Sequence, residues 1–136
     1  MDPMVELQIT TGERIAAVDI TSQVNGAVQE SGLVEGLCNI FVRHTTAAVI
    51  VSENWDLDVV RDLLAHLQKL VPQQAGYRHA EGNSQAHILS ALLGTSLNIP
   101  VKERRLWLGR WQGVMLAEFD GPRRRSVVVS FSPKVR

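Results

Sequence analysis

Residues 37–53 read LCNIFVRHTTAAVIVSE, two apolar, β-branched runs separated by Arg43, His44, Thr45 and Thr46. Both runs have the composition of strands, so the first half of the chain is predicted to be built on sheet. Alternation along the first run puts Cys38, Ile40, Val42 and His44 on one face, which is otherwise apolar. A histidine closing a buried face requires a hydrogen-bond partner or a metal. Taken alone, such a histidine is more often a satisfied structural residue, and His44 becomes a candidate functional residue only in company with the other polar residues below.

Working outward, VELQITT (5–11) and ERIAAVDI (13–20) read as two further strands around Gly12, predicted to form a hairpin. TSQVNGAVQES (21–31) follows as a short helix, with Thr21 or Ser22 as cap, Val24, Ala27 and Val28 as its apolar positions and Gly32 as its stop. Downstream, NWDLDVVRDLLAHLQKLVP (54–72) is the clearest helix, predicted to be capped by Asn54 and ended by Pro72. Its acidic first turn and Lys69 in the last suit the helix dipole, and Leu57, Val60, Leu64, Leu67 and Val71 form its buried stripe. SQAHILSALLG (84–94) is a third helix, with Asn83 as cap and Gly94 as stop. SLNIPV, RLWLGRWQ, VMLAEFD and RSVVVSF then read as four short strands. Many strands with few helices, the latter mid-chain, predict an α+β fold: a mostly antiparallel β-sandwich with about three short helices, in one domain over residues 1–136.

Composition narrows the function. Hydrophobic residues make up 45% and charged residues 21% of the 136, as in an ordinary globular chain with one core. Fourteen basic residues balance fourteen acidic ones, so no global field recruits nucleic acid or an anionic membrane. Cys38, the only cysteine, permits no intramolecular disulfide and no CxxC motif, and its apolar surroundings predict a buried, inert thiol. No apolar run approaches the ~20 residues that cross a membrane. The amino-terminal MDPMVELQI is too short in apolar character for a signal peptide, so a cytoplasmic location is expected.

Two polar clusters remain. Residues 77–88 read YRHAEGNSQAHI. Were 79–87 one helix, its two imidazoles would stand roughly 12 Å apart, too far to share one ion held at about 2 Å from each nitrogen. Gly82-Asn83 breaks that pattern, because glycine disfavours helix and asparagine favours the N-cap. His79 is thus predicted on a loop, free to fold back, with Asn83 at the helix mouth and His87 on the first turn. His66 falls on the outer face of the 54–72 helix, a solvated position. Together with Glu53, the imidazoles of His44, His79 and His87 make a candidate metal-ligand set, of a type that suits Zn²⁺ better than Mg²⁺. The second cluster is AEFDGPRRR (117–125), where alternation places Glu118 and Asp120 on one strand face and the Asp-Gly-Pro turn presents Arg123. Paired carboxylates beside an arginine suit a metal–phosphate unit. The plain alternative is an ion pair at a strand end.

Five segments, HTTAAVIVSENWD, YRHAEGN with the following AH, LLGTSLNIPV, LWLG with WQGV, and EFDGPRRR, together resemble in order the YjbQ-like family, also called the secondary thiamine-phosphate synthase family. The resemblance spans Leu37 to Phe131. It implies a compact α+β domain assembling as a homotrimer, and an enzyme of low activity. It also implies a site in which His44, His79, His87 and Arg123 carry the chemistry. Asn83, Glu118 and Asp120 would bind substrate, and His44, His79, His87 and Glu53 would hold a divalent metal, Mg²⁺ or Zn²⁺. The expected reaction joins a hydroxymethylpyrimidine diphosphate to a thiazole phosphate with release of pyrophosphate, so the partner is a small phosphorylated substrate. Two residues depart from the pattern. Arg104 stands where a turn glycine is expected, and Arg110 stands where a small hydroxyl residue is usual, placing positive charge at the predicted rim. No Gly-rich phosphate loop such as GxxxxGK is present. Two other functions fit the same residues: a metal-dependent hydrolase with Glu53 or Glu118 as general base, and a non-catalytic trimeric module for a small anion or metal.

Overall fold

A computed structural model of the chain describes residues 4–135. Its elements are β1 (Met4–Thr10), β2 (Ala16–Asp19), α1 (Thr21–Ser31), β3 (Gly36–Val42), β4 (Ala47–Glu53), α2 (Leu57–Leu70), α3 (Ser84–Leu93), β5 (Ser96–Lys102), β6 (Arg105–Leu106), β7 (Gln112–Glu118) and β8 (Arg124–Pro133). The strands form a five-stranded sheet in the order β1-β8-β3-β5-β6 and a three-stranded sheet in the order β2-β7-β4. Every pairing is antiparallel. The fold is α+β with three helices, as the sequence predicts.

The quoted run 37–53 feeds both sheets, β3 into the larger and β4 into the smaller. Its apolar alternation explains the layering. Cys38, Ile40 and Val42 point into a core shared with Val127 and Val129 of the neighbouring β8 and with Ala47, Val49 and Leu116 of the facing sheet. Ala48 and Ala117 point the other way, into a second core with Leu67, Val71, Ala86 and Leu89 from α2 and α3. The three-stranded sheet is therefore buried on both faces, and β4 and β7 are apolar at nearly every position for that reason. Each fully buried large aliphatic side chain contributes about 1.5–3 kcal/mol of transfer free energy. Cys38 is buried as predicted, and burial pushes its thiol up to about 12.

Several local expectations are corrected. β1 and β2 are not a hairpin: β1 pairs with β8 and β2 with β7, so residues 11–15 cross from one sheet to the other. That crossing is tied to the turn after β7, with Thr11 N–H donating to Arg123 O at 2.8 Å and Gly121 N–H to Arg14 O at 3.0 Å. Long-range partners supply these hydrogen bonds, so no local turn is needed at Gly12. Thr21 opens α1 without capping it, and the Asp19 carboxylate accepts its N–H at 2.9 Å. The cap of α2 is Asp56, which accepts from Asp58 N–H at 2.9 Å, while the Asn54 amide reaches Asp19. Of the α2 stripe, Leu67 and Val71 are buried whereas Leu57 is 63% exposed. The run 105–112 is strand only at Arg105–Leu106 and Gln112: leaving the 103–104 turn, β6 pairs with β5 at just Lys102↔Arg105 and Val101↔Leu106. Arg104 does occupy a glycine-like position: it and Glu103 have φ of 66° and 55°. Such paired left-handed residues are the signature of a tight two-residue hairpin turn.

Candidate functional site

At one end of the sandwich, the segments after β3 and β7 and the start of α3 enclose an open cleft of about 650 Å³. Each wall follows from local sequence. β3 ends where Arg43-His44-Thr45 turns polar, yet its contact with β8 continues through one more backbone bond and one to a side chain. Arg43 N–H donates to Ser126 O at 3.2 Å, and Ser126 N–H donates to His44 Nε2 at 2.7 Å. A ring nitrogen that accepts carries no proton, so a neutral His44 holds its hydrogen on Nδ1. Burial and then the charge of Arg125 push the His44 pKa below its ordinary value, with Arg43 and Arg123 adding to this and Glu118 opposing it. His44 therefore offers the cleft a neutral N–H donor.

The second wall is the 76–87 segment. Gly82, at φ 76°, turns the loop so that Asn83 can begin α3. The loop does fold back: the His79 and His87 rings lie edge to face with centroids 5.2 Å apart. His79 Nε2 also lies 3.7 Å from a Glu81 oxygen. Asn83 holds the N-cap position without capping through its side chain. Its amide instead donates to Asp120 Oδ2 at 2.9 Å, and its buried Oδ1 has no partner among the described residues.

The third wall is Asp120-Gly121-Pro122-Arg123. Arg123 donates to Asp120 through Nε to the carbonyl at 2.8 Å and through a terminal nitrogen to Oδ2 at 3.1 Å. Burial alone would raise the Asp120 pKa, but hydrogen bonds from Asn83 and Arg123 and the charges of Arg123 and Arg125 hold it below the ordinary carboxylate value.

Beneath the cleft lies a cluster that sequence reading did not assemble. Glu118 is fully buried and Arg125 is 2% exposed. They are bonded at both carboxylate oxygens, with Arg125 Nε to Glu118 Oε1 at 2.8 Å. Arg125 also reaches the Thr46 hydroxyl at 2.9 Å and its carbonyl at 3.2 Å. Glu118 accepts from the Thr11 hydroxyl at 2.7 Å and from Asp120 N–H at 3.0 Å. Burial would raise the Glu118 pKa; the bonds from Arg125, Thr11 and Asp120 together with the Arg125 charge bring it below its ordinary value instead.

His44, Asn83, His87, Asp120 and Arg123 thus line one cleft, with His79 packed against His87. Two expected residues stand elsewhere. Glu118 faces inward to Arg125 because it lies on the buried face of β7, while Asp120 lies beyond the strand end, so the strand alternation that joined them does not apply. Glu53 is at the opposite end of β4, opposite Gln112, roughly 20 Å along the strand from Thr46. Arg110 is also at that far end, stacked over Trp111 at 4.8 Å, and brings no charge to the cleft. Arg43, Arg124, Glu81 and Thr45 line the cleft without having been expected. Alternation could have found Arg125, since it shares the inward face of β8 with Val127, Val129 and Phe131.

The expected metal set can be tested against these positions. His44 Nε2 is committed to Ser126, Asp120 is committed to Asn83 and Arg123, and Glu53 is remote. Among the described residues no three His, Cys, Asp or Glu side chains gather as a metal-binding group. Within one chain the described donors do not assemble a set that fits a divalent cation, and His79 and His87 meet as packed rings. A separate, largely apolar concavity of about 400 Å³ near Leu37, Pro100 and Trp107 has its charges engaged, Lys134 with Glu35 and Lys102 over the Trp107 ring.

Residues 5–134 match the family described as UPF0047 protein YjbQ-like. A UPF0047 protein of Methanocaldococcus jannaschii, MJ1081, is 44% identical over 126 residues, covering 93% of this chain and 91% of that protein. YugU of Bacillus subtilis is 41% identical, covering 90% and 94%. Among solved structures, a YjbQ/UPF0047 protein of Clostridium acetobutylicum superposes with a TM-score of 0.92 at 44% identity, covering 94% of this chain and 99% of that one. A YbjQ-like protein of Sulfolobus solfataricus gives a TM-score of 0.92 at 31% identity, covering 96% of each.

Proposed function

The chain belongs to the UPF0047 YjbQ-like family, and on that premise we propose that its cleft binds the phosphate or diphosphate group of a small molecule and transfers what that group activates. The observation that carries this reading is the arginine excess: Arg43, Arg123, Arg124 and Arg125 line the cleft against Glu81 and Asp120. Arg125 is matched by Glu118, Arg123 by Asp120 and Arg43 by Glu6 at 3.6 Å, while Arg124 has no ionic partner among the described residues. The His44 Nδ1–H and the start of α3 add donors of the kind that anions use.

The finer form of the proposal is thiamine phosphate synthesis of low activity, in line with the ordered motifs. The thiazole nitrogen lone pair forms a bond to the pyrimidine methylene carbon as the C–O bond to diphosphate breaks, and pyrophosphate departs with that bonding pair. This chain's part is to bind the diphosphate through arginines and to stabilise its growing charge, the largest lever available for such a step. A hydrolase needs a water-activating metal or base, and the scattered donors favour it less. Simple anion binding is the outcome if no product forms.

The test pairs calorimetry of pyrophosphate binding with an assay of thiamine phosphate, with and without Mg²⁺. Saturable binding that weakens with salt is expected, with product above the uncatalysed rate. Absence of binding up to about 10 mM, weaker than any useful site, overturns the anion reading. Binding without product leaves the anion module and removes the transferase.

Homotrimeric assembly is part of the same proposal. Trp55, Leu57, Leu70 and Leu92 are well exposed on and around α2 and α3, a density of apolar side chains suited to subunit contact. Light scattering is expected to give about three times the 15.1 kDa chain mass. A monomer at micromolar concentration contradicts it.

A further inference from the structure

We propose that Thr11 is a positioning residue for the cleft: from the crossing between β1 and β2 it holds the Arg123 turn in its anion-binding geometry without touching the ligand. This rests on the anion reading of the cleft. Thr11 is 2% exposed and lies apart in sequence from everything it serves. Its hydroxyl accepts the Arg123 N–H at 2.9 Å and stands 2.7 Å from Glu118 Oε1. A hydroxyl has one proton, and the ionised carboxylate is the stronger acceptor, so that proton goes to Glu118. The hydroxyl is thereby oriented with its lone pairs toward Arg123. The backbone of Thr11 adds the N–H to Arg123 O bond at 2.8 Å.

The other end of the turn is fixed by the same carboxylate, whose Oε2 accepts Asp120 N–H at 3.0 Å. Glu118 is held in turn by Arg125, and Arg125 holds Thr46 on the opposite wall. Space at the turn is equally restricted. A Cβ on Gly121 would come within 2.1 Å of Glu13 O and 3.0 Å of the Thr11 hydroxyl, so the 11–13 crossing and the 120–123 turn are in direct contact. One hydroxyl thus links the turn carrying two candidate ligand-binding side chains to the buried ion pair. The placement of a guanidinium matters to an anion because two parallel bonds require a fixed fork.

The discriminating pair of variants is Thr11→Val, which keeps the shape and removes the hydroxyl, and Thr11→Ser, which keeps the hydroxyl. Pyrophosphate binding is expected to weaken about tenfold in Thr11→Val, in keeping with a lost buried hydrogen bond, and to stay within about twofold of wild type in Thr11→Ser. Amide hydrogen exchange at Asp120 and Arg123 is expected to accelerate in Thr11→Val only, with the thermal transition still cooperative in both. Equal binding by wild type and Thr11→Val overturns the proposal, as does equal loss in both variants. If wild type itself binds no pyrophosphate, the anion reading fails on its own. The exchange rates then report on the turn alone: acceleration confined to Thr11→Val shows that the hydroxyl still holds residues 120–123, and unchanged rates overturn that hold as well.

Discussion

Glu118→Ala is expected to cost the folded state about 3–5 kcal/mol, the penalty for leaving a buried charge without its partner. The guanidinium left behind is that of Arg125, 2% exposed and held, among the described residues, only by Thr46 once the carboxylate is gone. Against a total stability of about 5–15 kcal/mol this is a large share. Urea denaturation is the measurement, and a loss under about 1 kcal/mol would contradict the assignment of the pair as a structural hub. Replacing both partners with apolar residues, Glu118→Leu with Arg125→Met, is expected to recover much of the loss, because it removes the uncompensated charge. The pair also sets an acid limit. The Glu118 carboxyl lies below its ordinary value of 4.5 when folded, so its contribution is present above that value. It is lost as the pH falls below 4.5 and through the folded-state value. Wild type should therefore lose stability in that acid range more steeply than the double variant.

The second large effect concerns the ligand. Arg123→Ala is expected to weaken pyrophosphate binding by about thirtyfold to a hundredfold, corresponding to one or two charge-assisted hydrogen bonds. Part of the loss comes from Asp120. Its carboxyl is ionised and bonded to Arg123 at 3.1 Å, and without that guanidinium it confronts the arriving anion with negative charge. Adding Asp120→Asn to Arg123→Ala should restore several-fold of the affinity. Binding by Arg123→Ala within threefold of wild type would remove Arg123 from the ligand's surroundings and leave Arg43 and Arg124 as its anchors.

Periodicity made the strands of residues 37–53 and all three helices legible, because apolar spacing and turn residues agreed along each segment. The hairpin at Gly12 was misread since nothing local states that β1 and β2 have better partners far along the chain. The caps failed for a related reason. Asn54 and Asn83 are good cap residues, but each has a tertiary acceptor, Asp19 and Asp120, that takes its amide. For the candidate site, Gly82-Asn83 puts His79 on a loop free to fold back, and the structure brings it against His87. Strand alternation misled at Glu118 and Asp120, where β7 ends between the two. Alternation does hold along β8, where Arg125 shares the buried face of Val127, Val129 and Phe131. Thr11 carried no signal, since its role exists only once residues from five segments meet.

The position of β8 also governs how the molecule is made. This strand sits between β1 and β3 in the larger sheet, with Val5 opposite Val129 and Ile40 opposite the same residue on the other side. During synthesis at about 5–20 residues per second, β1 and β3 emerge early and wait several seconds for their shared neighbour. Until then each presents an unpaired edge open to the wrong strand. Arg125 and Ser126 arrive on β8 as well, so neither the Glu118 ion pair nor the His44 acceptor bond exists on the nascent chain. The cleft thus takes shape only once β8 has joined β1 and β3.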